Sequence, residues 1–379
     1  MKPLTTFCIV AFISFPLFSQ EPNVSVYINA GIDTSNADIA DVISLWKFYL
    51  RSHPDSIYDN PYWSQAEKQC YKNFDFLSTG YFSPSLYYFL SSWKATVMSV
   101  MKVDSHYVIR TLFATQTGSG FSKPYCITQT AAIKENGNFK LCNILPFNTR
   151  TWRHEQVGSI TFIFDETHRF NADLAERMNA FVDSLAGLWN LRPVPIDFYL
   201  MESMPVIMKM RGFDFYIGEG YNTGPGGVTD IANHIVFGGG QDEWYPHEFI
   251  HVYINPLFPH AHHYFLEGYA TLLGGSKGQS LLWHMRRMNE YLKQHSEVNL
   301  SNLLDFWHFD AVTNPQMVFG GLFCQLALEK GGLAELKRLM NYDSDDFFKA
   351  IEMEFGIVKK DLNRFVREKL DDYVLRFSK

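Results

Sequence analysis

His247-Glu248-Phe249-Ile250-His251 sets two imidazoles four positions apart with a carboxylate between them, and Glu267 follows after fifteen intervening residues, leading Gly268-Tyr269-Ala270. On a helix, residues four apart lie one turn plus about 40° from each other, so His247 and His251 leave the same face and can converge on one ion. Two neutral imidazoles and a carboxylate suit Zn2+, and three protein ligands leave its fourth position open to water. Zinc lowers the pKa of that water to about 7, and a nearby carboxylate can take its proton during attack on a carbonyl and return it to the leaving amine. Glu248 is turned about 100° from His247 and shares the metal poorly, whereas Glu267 comes from another helix. The spacing thus assigns His247, His251 and Glu267 as metal ligands and Glu248 as the catalytic base.

Two helices must present these groups. Asn255-Pro256 ends the first, and the chain turns and returns with Glu267 on the second. Pro246 directly precedes His247, which predicts a helix start near Asp242 or Glu243 so that the missing N–H falls in the unpaired first turn.

The two segments, HEFIH and EGYA, resemble those of the gluzincin metallopeptidases, particularly the bacterial peptidase MA-like group with its HExxH and EGxA motifs. The resemblance covers about residues 155–379, with the two metal segments as its specific part. Gly227-Val228-Thr229-Asp230 and the apolar run His234 to Phe237 look like that family's hairpin and edge strand, which implies that an extended substrate backbone pairs alongside. The thermolysin-like members place an acidic residue four positions after the third ligand to orient a histidine. This chain has Thr271 there, so the orienting groups come from elsewhere, with Asp230 and Asp242 as candidates. The family often uses a Tyr or His as oxyanion donor, commonly from the helix region after the third ligand; Pro315 to Cys324 contains no Tyr, and Tyr264, His284 and His308 are the remaining candidates.

Lys2, the apolar stretch Leu4 to Phe18 and then Ser19-Gln20-Glu21-Pro22 read as a secretory signal peptide spanning residues 1–20. The stretch is shorter than the roughly 20 residues of a membrane span, so the expectation is an exported protein of the periplasm or medium without an integral membrane segment. Net charge is −7 with no basic cluster, which argues against nucleic acid and anionic membranes as partners and leaves a peptide or protein substrate. Hydrophobic residues make up 46% of the 379 positions, enough for two cores. Cys70, Cys126, Cys142 and Cys324 follow the signal, too few for a disulfide scaffold. Pairing outward from the turn Asn136-Gly137 sets Cys142 opposite residue 131 rather than opposite Cys126.

The predicted fold class is α+β, dividing near residue 150. Residues 21–150 form an accessory domain: helical spacing of Ile39, Val42, Ile43, Trp46 and Tyr49, then an antiparallel meander over 95–103, 106–116, 125–135 and 138–145. Asp59-Asn60-Pro61-Tyr62-Trp63 within it resembles part of the NTF2-like cone fold. The second domain, 155–379, holds a mixed sheet with strands at 159–164, 196–200 and 234–237, a helix over 171–188, the metal helix pair, and helices near 278–295, 315–331, 333–340, 344–355 and 359–376. The gluzincin reading implies a zinc metallopeptidase. Two alternatives share the same residues: a noncatalytic exported binding protein on a degenerate zincin scaffold, and a zinc hydrolase of another amide such as a cell-wall peptide.

Overall fold

The computed structural model describes residues 24–377 apart from 53–58, 76, 83–85, 117, 119, 121 and 220–223, so the expected signal segment lies outside the described residues. The fold is α+β, built on two mixed sheets. Among the described residues no helix is long and apolar enough to cross a membrane.

The first module begins with strand β1 (Val26–Ile28) and helix α1 (Ala37–Leu50), whose start is fixed by the Asn36 side chain accepting from the Ile39 N–H. Val42, Ile43, Trp46, Tyr49 and Leu50 recur at helical spacing and are all buried, so one stripe of α1 packs inward. After the short helices α2 (Gln65–Cys70) and α3 (Leu86–Ser92) comes the meander β2 (Lys94–Val103), β3 (His106–Gln116), β4 (Ser122–Glu135) and β5 (Asn138–Cys142). Asn136 and Gly137 both take positive φ, 50° and 83°, as a primed two-residue turn requires, and the register they set pairs Ala131 with Cys142. Cys126 and Cys142 therefore lie apart, and all four described cysteines are free. The meander is antiparallel as expected, but β1 adds in parallel beside β2, which makes the sheet mixed.

A short helix α4 (Leu145–Asn148) leads to the second sheet, in the order β10-β11-β8-β7-β6. Its strands are β6 (Arg153–Val157), β7 (Ile160–Phe164), β8 (Ile196–Met201), β10 (Gly226–Asp230) and β11 (Ile235–Gly239). Between β7 and β8, which are parallel, runs helix α5 (Ala172–Leu188). Period-two alternation divides the strands between two covers. Phe162, Phe164, Phe198, Leu200 and Val236 face the main core with Met178 and Val182 of α5, while Ile163, Tyr199, Met201, Ile235 and Phe237 face a smaller core with Leu145 and Ile207. Burial on both faces explains why these strands are near-continuous apolar runs.

The chain then crosses back. Helix α6 (Met204–Met210) delivers β9 (Phe213–Tyr216) to the first sheet, where it pairs antiparallel with residues 126–128 of β4, beside the stretch taken by β5. Sequence patterning gave no sign of this four-residue strand. A second correction concerns the edge: residues 235–239 form an inner strand bonded to both β8 and β10, so the edge belongs to Gly226–Asp230.

Below the sheet lie α7 (Pro246–Ile254), α8 (His263–Gly274), α9 (Leu281–Gln294), α10 (Pro315–Met340, broken at Gly331-Gly332), α11 (Phe347–Phe355) and α12 (Leu362–Arg376). Helix α7 starts at Pro246 itself, four residues later than expected at its earliest; proline at the first helical position removes only an N–H that has no intrahelical partner. Helices α8 and α10 cross in backbone contact. A Cβ on Gly268 would lie 2.1 Å from the Gly320 carbonyl carbon, and one on Gly320 would lie 1.6 Å from the Tyr264 oxygen, so the glycine beside Glu267 sets how closely α8 is seated.

Candidate metal centre

The two helices bring His247, His251 and Glu267 together. The Nε2 atoms of His247 and His251 each lie 3.5 Å from a different oxygen of Glu267, and one ligand atom from each residue can be chosen with all three within 4.8 Å of one another. Tetrahedral zinc with bonds near 2.05 Å has ligand-to-ligand edges of about 3.3–3.4 Å, so each His–Glu separation, taken to its own oxygen, is close to one such edge. Their tautomers also match. His247 Nδ1 donates to the Gly275 carbonyl at 2.6 Å and His251 Nδ1 meets Asn255 Oδ1 at 3.1 Å, which leaves each Nε2 lone pair of the neutral ring directed at the shared point. The donor set and its geometry thus fit a zinc ion held by His247, His251 and Glu267.

Both orienting groups differ from the expected ones. Asp230 bonds Asn233, and Asp242 accepts from the Trp244 N–H; neither reaches an imidazole. Gly275 can serve because it takes a φ of 74° directly after α8, turning its carbonyl toward α7. Asn255 sits four residues after His251 at the end of α7, one helical turn along the same face.

Glu267 is subject to opposed forces. Burial alone would raise its carboxyl, but when the imidazoles carry protons on Nε2 the hydrogen bond with His247 and the charges of His251 and His247 outweigh it and hold the group down at about 2. Glu248 lies on the same helix as the histidines, and each of its oxygens has a donor: Oε1 accepts from the Tyr245 hydroxyl at 3.3 Å, and Oε2 lies 2.7 Å from Thr229 Oγ1 on the edge strand. Burial and the Glu248 charge push the Tyr245 hydroxyl well above its ordinary value, so it stays a donor.

These groups line a cavity of about 320 Å³ whose roof includes Gly226, Gly227 and Thr229 of β10 and whose far side holds Ser276, Lys277 and Met317. An adjoining cavity of about 770 Å³ shares Thr229, Ile231 and Asn255 with it and extends to Lys72, Tyr81 and Arg211 on the first module and α6. None of the three expected oxyanion donors lines the metal cavity. Tyr264 is buried against His262 and Phe347, and His308 is exposed beside Trp307. His284 is buried between Thr313 and the Ser276 carbonyl, and burial holds its imidazole below its ordinary value. Tyr245, Thr229 and Lys277 were not singled out from the sequence. Tyr245, two residues before the first ligand, carried the one usable signal, since a phenol at a helix entry beside a catalytic carboxylate is within its reach.

Comparison with protein-family models and with curated proteins finds no match for the chain.

Proposed function

We propose that the chain is an exported zinc-dependent metallopeptidase of gluzincin type. The observation that carries this reading is the convergence of two tautomerically set Nε2 atoms on the Glu267 carboxylate, in an open cavity that also holds the carboxylate of Glu248. Zinc, when bound, would supply a water of lowered pKa and a Lewis acid for the scissile carbonyl. The chain's own residues supply the rest. Glu248 takes a proton on one oxygen and returns it to the leaving amine, while Thr229 and Tyr245 keep its carboxylate turned into the cavity. Once Glu248 has taken its proton, the Tyr245 hydroxyl, which burial keeps protonated, is free to turn from Glu248 Oε1 and donate to an oxyanion. The outer edge of β10 is unpaired among the described residues, and its Gly226, Gly227 and Thr229 face the cavity, which suits an extended peptide added as a further strand.

The test is hydrolysis of a broad peptide library by zinc-loaded protein and by Glu248→Gln. Turnover that zinc chelation abolishes and Glu248→Gln lowers by at least about 10²-fold supports the reading. Turnover unaffected by the substitution removes Glu248 from the base role. Zinc binding without cleavage of any peptide turns the reading toward the noncatalytic scaffold or toward another amide.

A further inference from the structure

Resting on the metallopeptidase reading, we propose that Lys277 is a specificity residue that binds a carboxylate of the substrate, so that the enzyme selects peptides carrying a negative group close to the scissile bond. Lys277 lines the metal cavity, and no carboxylate among the described residues lies within ion-pair distance of its ammonium. Among the described residues its one hydrogen bond is to the Pro225 carbonyl at 2.9 Å, which occupies one of three N–H donors and leaves two for a ligand. Gly226 keeps the ammonium clear, since a Cβ there would lie 3.3 Å from Lys277 Nζ.

The loop that carries Lys277 is built rather than loose. Ser276 and Gln279 exchange two backbone hydrogen bonds, of 2.8 and 2.9 Å, and the buried His284 ring donates to the Ser276 carbonyl at 2.9 Å. Lys277 itself sits at a φ of 51°, in the left-handed region that glycine or asparagine ordinarily fills. Two residues earlier, the same loop supplies the Gly275 carbonyl that orients His247. The loop therefore ties the ammonium to the first ligand, and His284, which does not reach the metal cavity, holds it there.

Charge supports the same conclusion. Apart from Glu248 and Glu267, which the chemistry uses, the described cavity lining contains no carboxylate that could hold a free substrate amine. The single remaining charge is positive, so the site favours an anionic partner over an α-ammonium. A carboxylate can come from the C-terminus of a short peptide or from an Asp or Glu side chain, and the two sources are separable.

The experiment compares zinc-loaded wild type, Lys277→Gln and Lys277→Arg on matched peptides: free acid against C-terminal amide, and internal Glu against internal Gln in an amidated peptide. Binding of the same peptides to Glu248→Gln by calorimetry gives a readout independent of turnover, and zinc content checks that each variant keeps its site. Lys277→Gln removes the charge and keeps an N–H donor on a stem one bond shorter, and Lys277→Arg keeps the charge. The expected result is that wild type prefers one carboxylate-bearing peptide at least tenfold, through KM and Kd rather than kcat, that Lys277→Gln abolishes the preference, and that Lys277→Arg restores it. Preference within the first pair identifies the C-terminus, and preference within the second identifies an acidic side chain. Hydrolysis with equal treatment of acid and amide in both pairs, or a preference that survives in Lys277→Gln, overturns the role of Lys277 and leaves the peptidase reading standing. Failure of zinc-loaded wild type to bind or cleave any peptide overturns the peptidase reading and this proposal with it.

Discussion

Gly227→Ala isolates the positioning of the base from the binding of the metal. A Cβ at position 227 would lie 2.4 Å from the Tyr245 ring edge, 2.6 Å from its hydroxyl oxygen and 2.7 Å from Glu248 Cγ. The backbone at Gly227 is not in the left-handed region, so the effect of alanine is steric. Carbon atoms pack at about 3.5–4.0 Å, which means that the Tyr245 ring, the Glu248 side chain or the edge strand must retreat by about 1 Å. A misplacement of that size costs about 10²-fold in rate, or roughly 2.7 kcal/mol of transition-state stabilisation, and overpacking costs about 1–3 kcal/mol of stability. The imidazoles would hold an ion through Nε2 and are fixed through Gly275 and Asn255, whereas the atoms nearest the new methyl group belong to Tyr245 and Glu248. The assay is kcat/KM on a cleaved peptide, with zinc content and thermal unfolding measured on the same preparations. The expected outcome is full zinc occupancy with kcat/KM down about 10²-fold. A variant that retains full zinc and loses less than about threefold would refute the claim that Tyr245 and Glu248 must hold their observed positions.

Gly268→Ala places its methyl 2.1 Å and 2.2 Å from backbone atoms of Gly320 and Gly321, which cannot rotate aside; α8 and α10 must separate, and chemical denaturation should register a loss of about 3 kcal/mol or more. Asn255→Ala removes the partner of His251 Nδ1 while keeping the ligand, and zinc affinity by competition with a chromophoric chelator should fall about 10–100-fold. Glu67 is raised to about 7 by burial, against the opposing hydrogen bond from Asn143. Its folded value exceeds its unfolded one, so its contribution is present in full below about pH 4.5 and is lost as pH rises through 7. Relative to Glu67→Gln, the wild type should lose about 1–2 kcal/mol between pH 4.5 and pH 8 in urea titrations, a figure reduced for the group's partial contact with water.

What was legible in the sequence was whatever local pattern controls. The meander followed from alternating residues and the Asn136-Gly137 turn, down to the pairing of Ala131 with Cys142. Helix α9, expected near 278–295 from the apolar residues Leu281, Leu282, Met285, Met288 and Leu292, buries all of these but Leu282, which is half-buried, while Lys293 is exposed. The expected His247, His251 and Glu267 do converge, because i,i+4 geometry and one helical return suffice to bring them together. What was not legible depends on partners distant in sequence or on groups without side-chain identity. Strand β9 is only Phe213–Tyr216 and exists because the other edge of β4 is left open beside β5. The partner of His247 Nδ1 is a backbone carbonyl, which any residue possesses, so it leaves no mark in the sequence. Lys277 reaches the cavity through a positive-φ turn and a bond to Pro225, and neither leaves a periodic trace.

The most direct test of the central claim is metal content by inductively coupled plasma mass spectrometry on gently purified protein, with His247→Ala and Glu267→Ala prepared alongside. The expected result is close to one zinc per chain in the wild type and its loss in both variants. Absence of zinc from the wild type after incubation with the metal, or full retention in both variants, would contradict it.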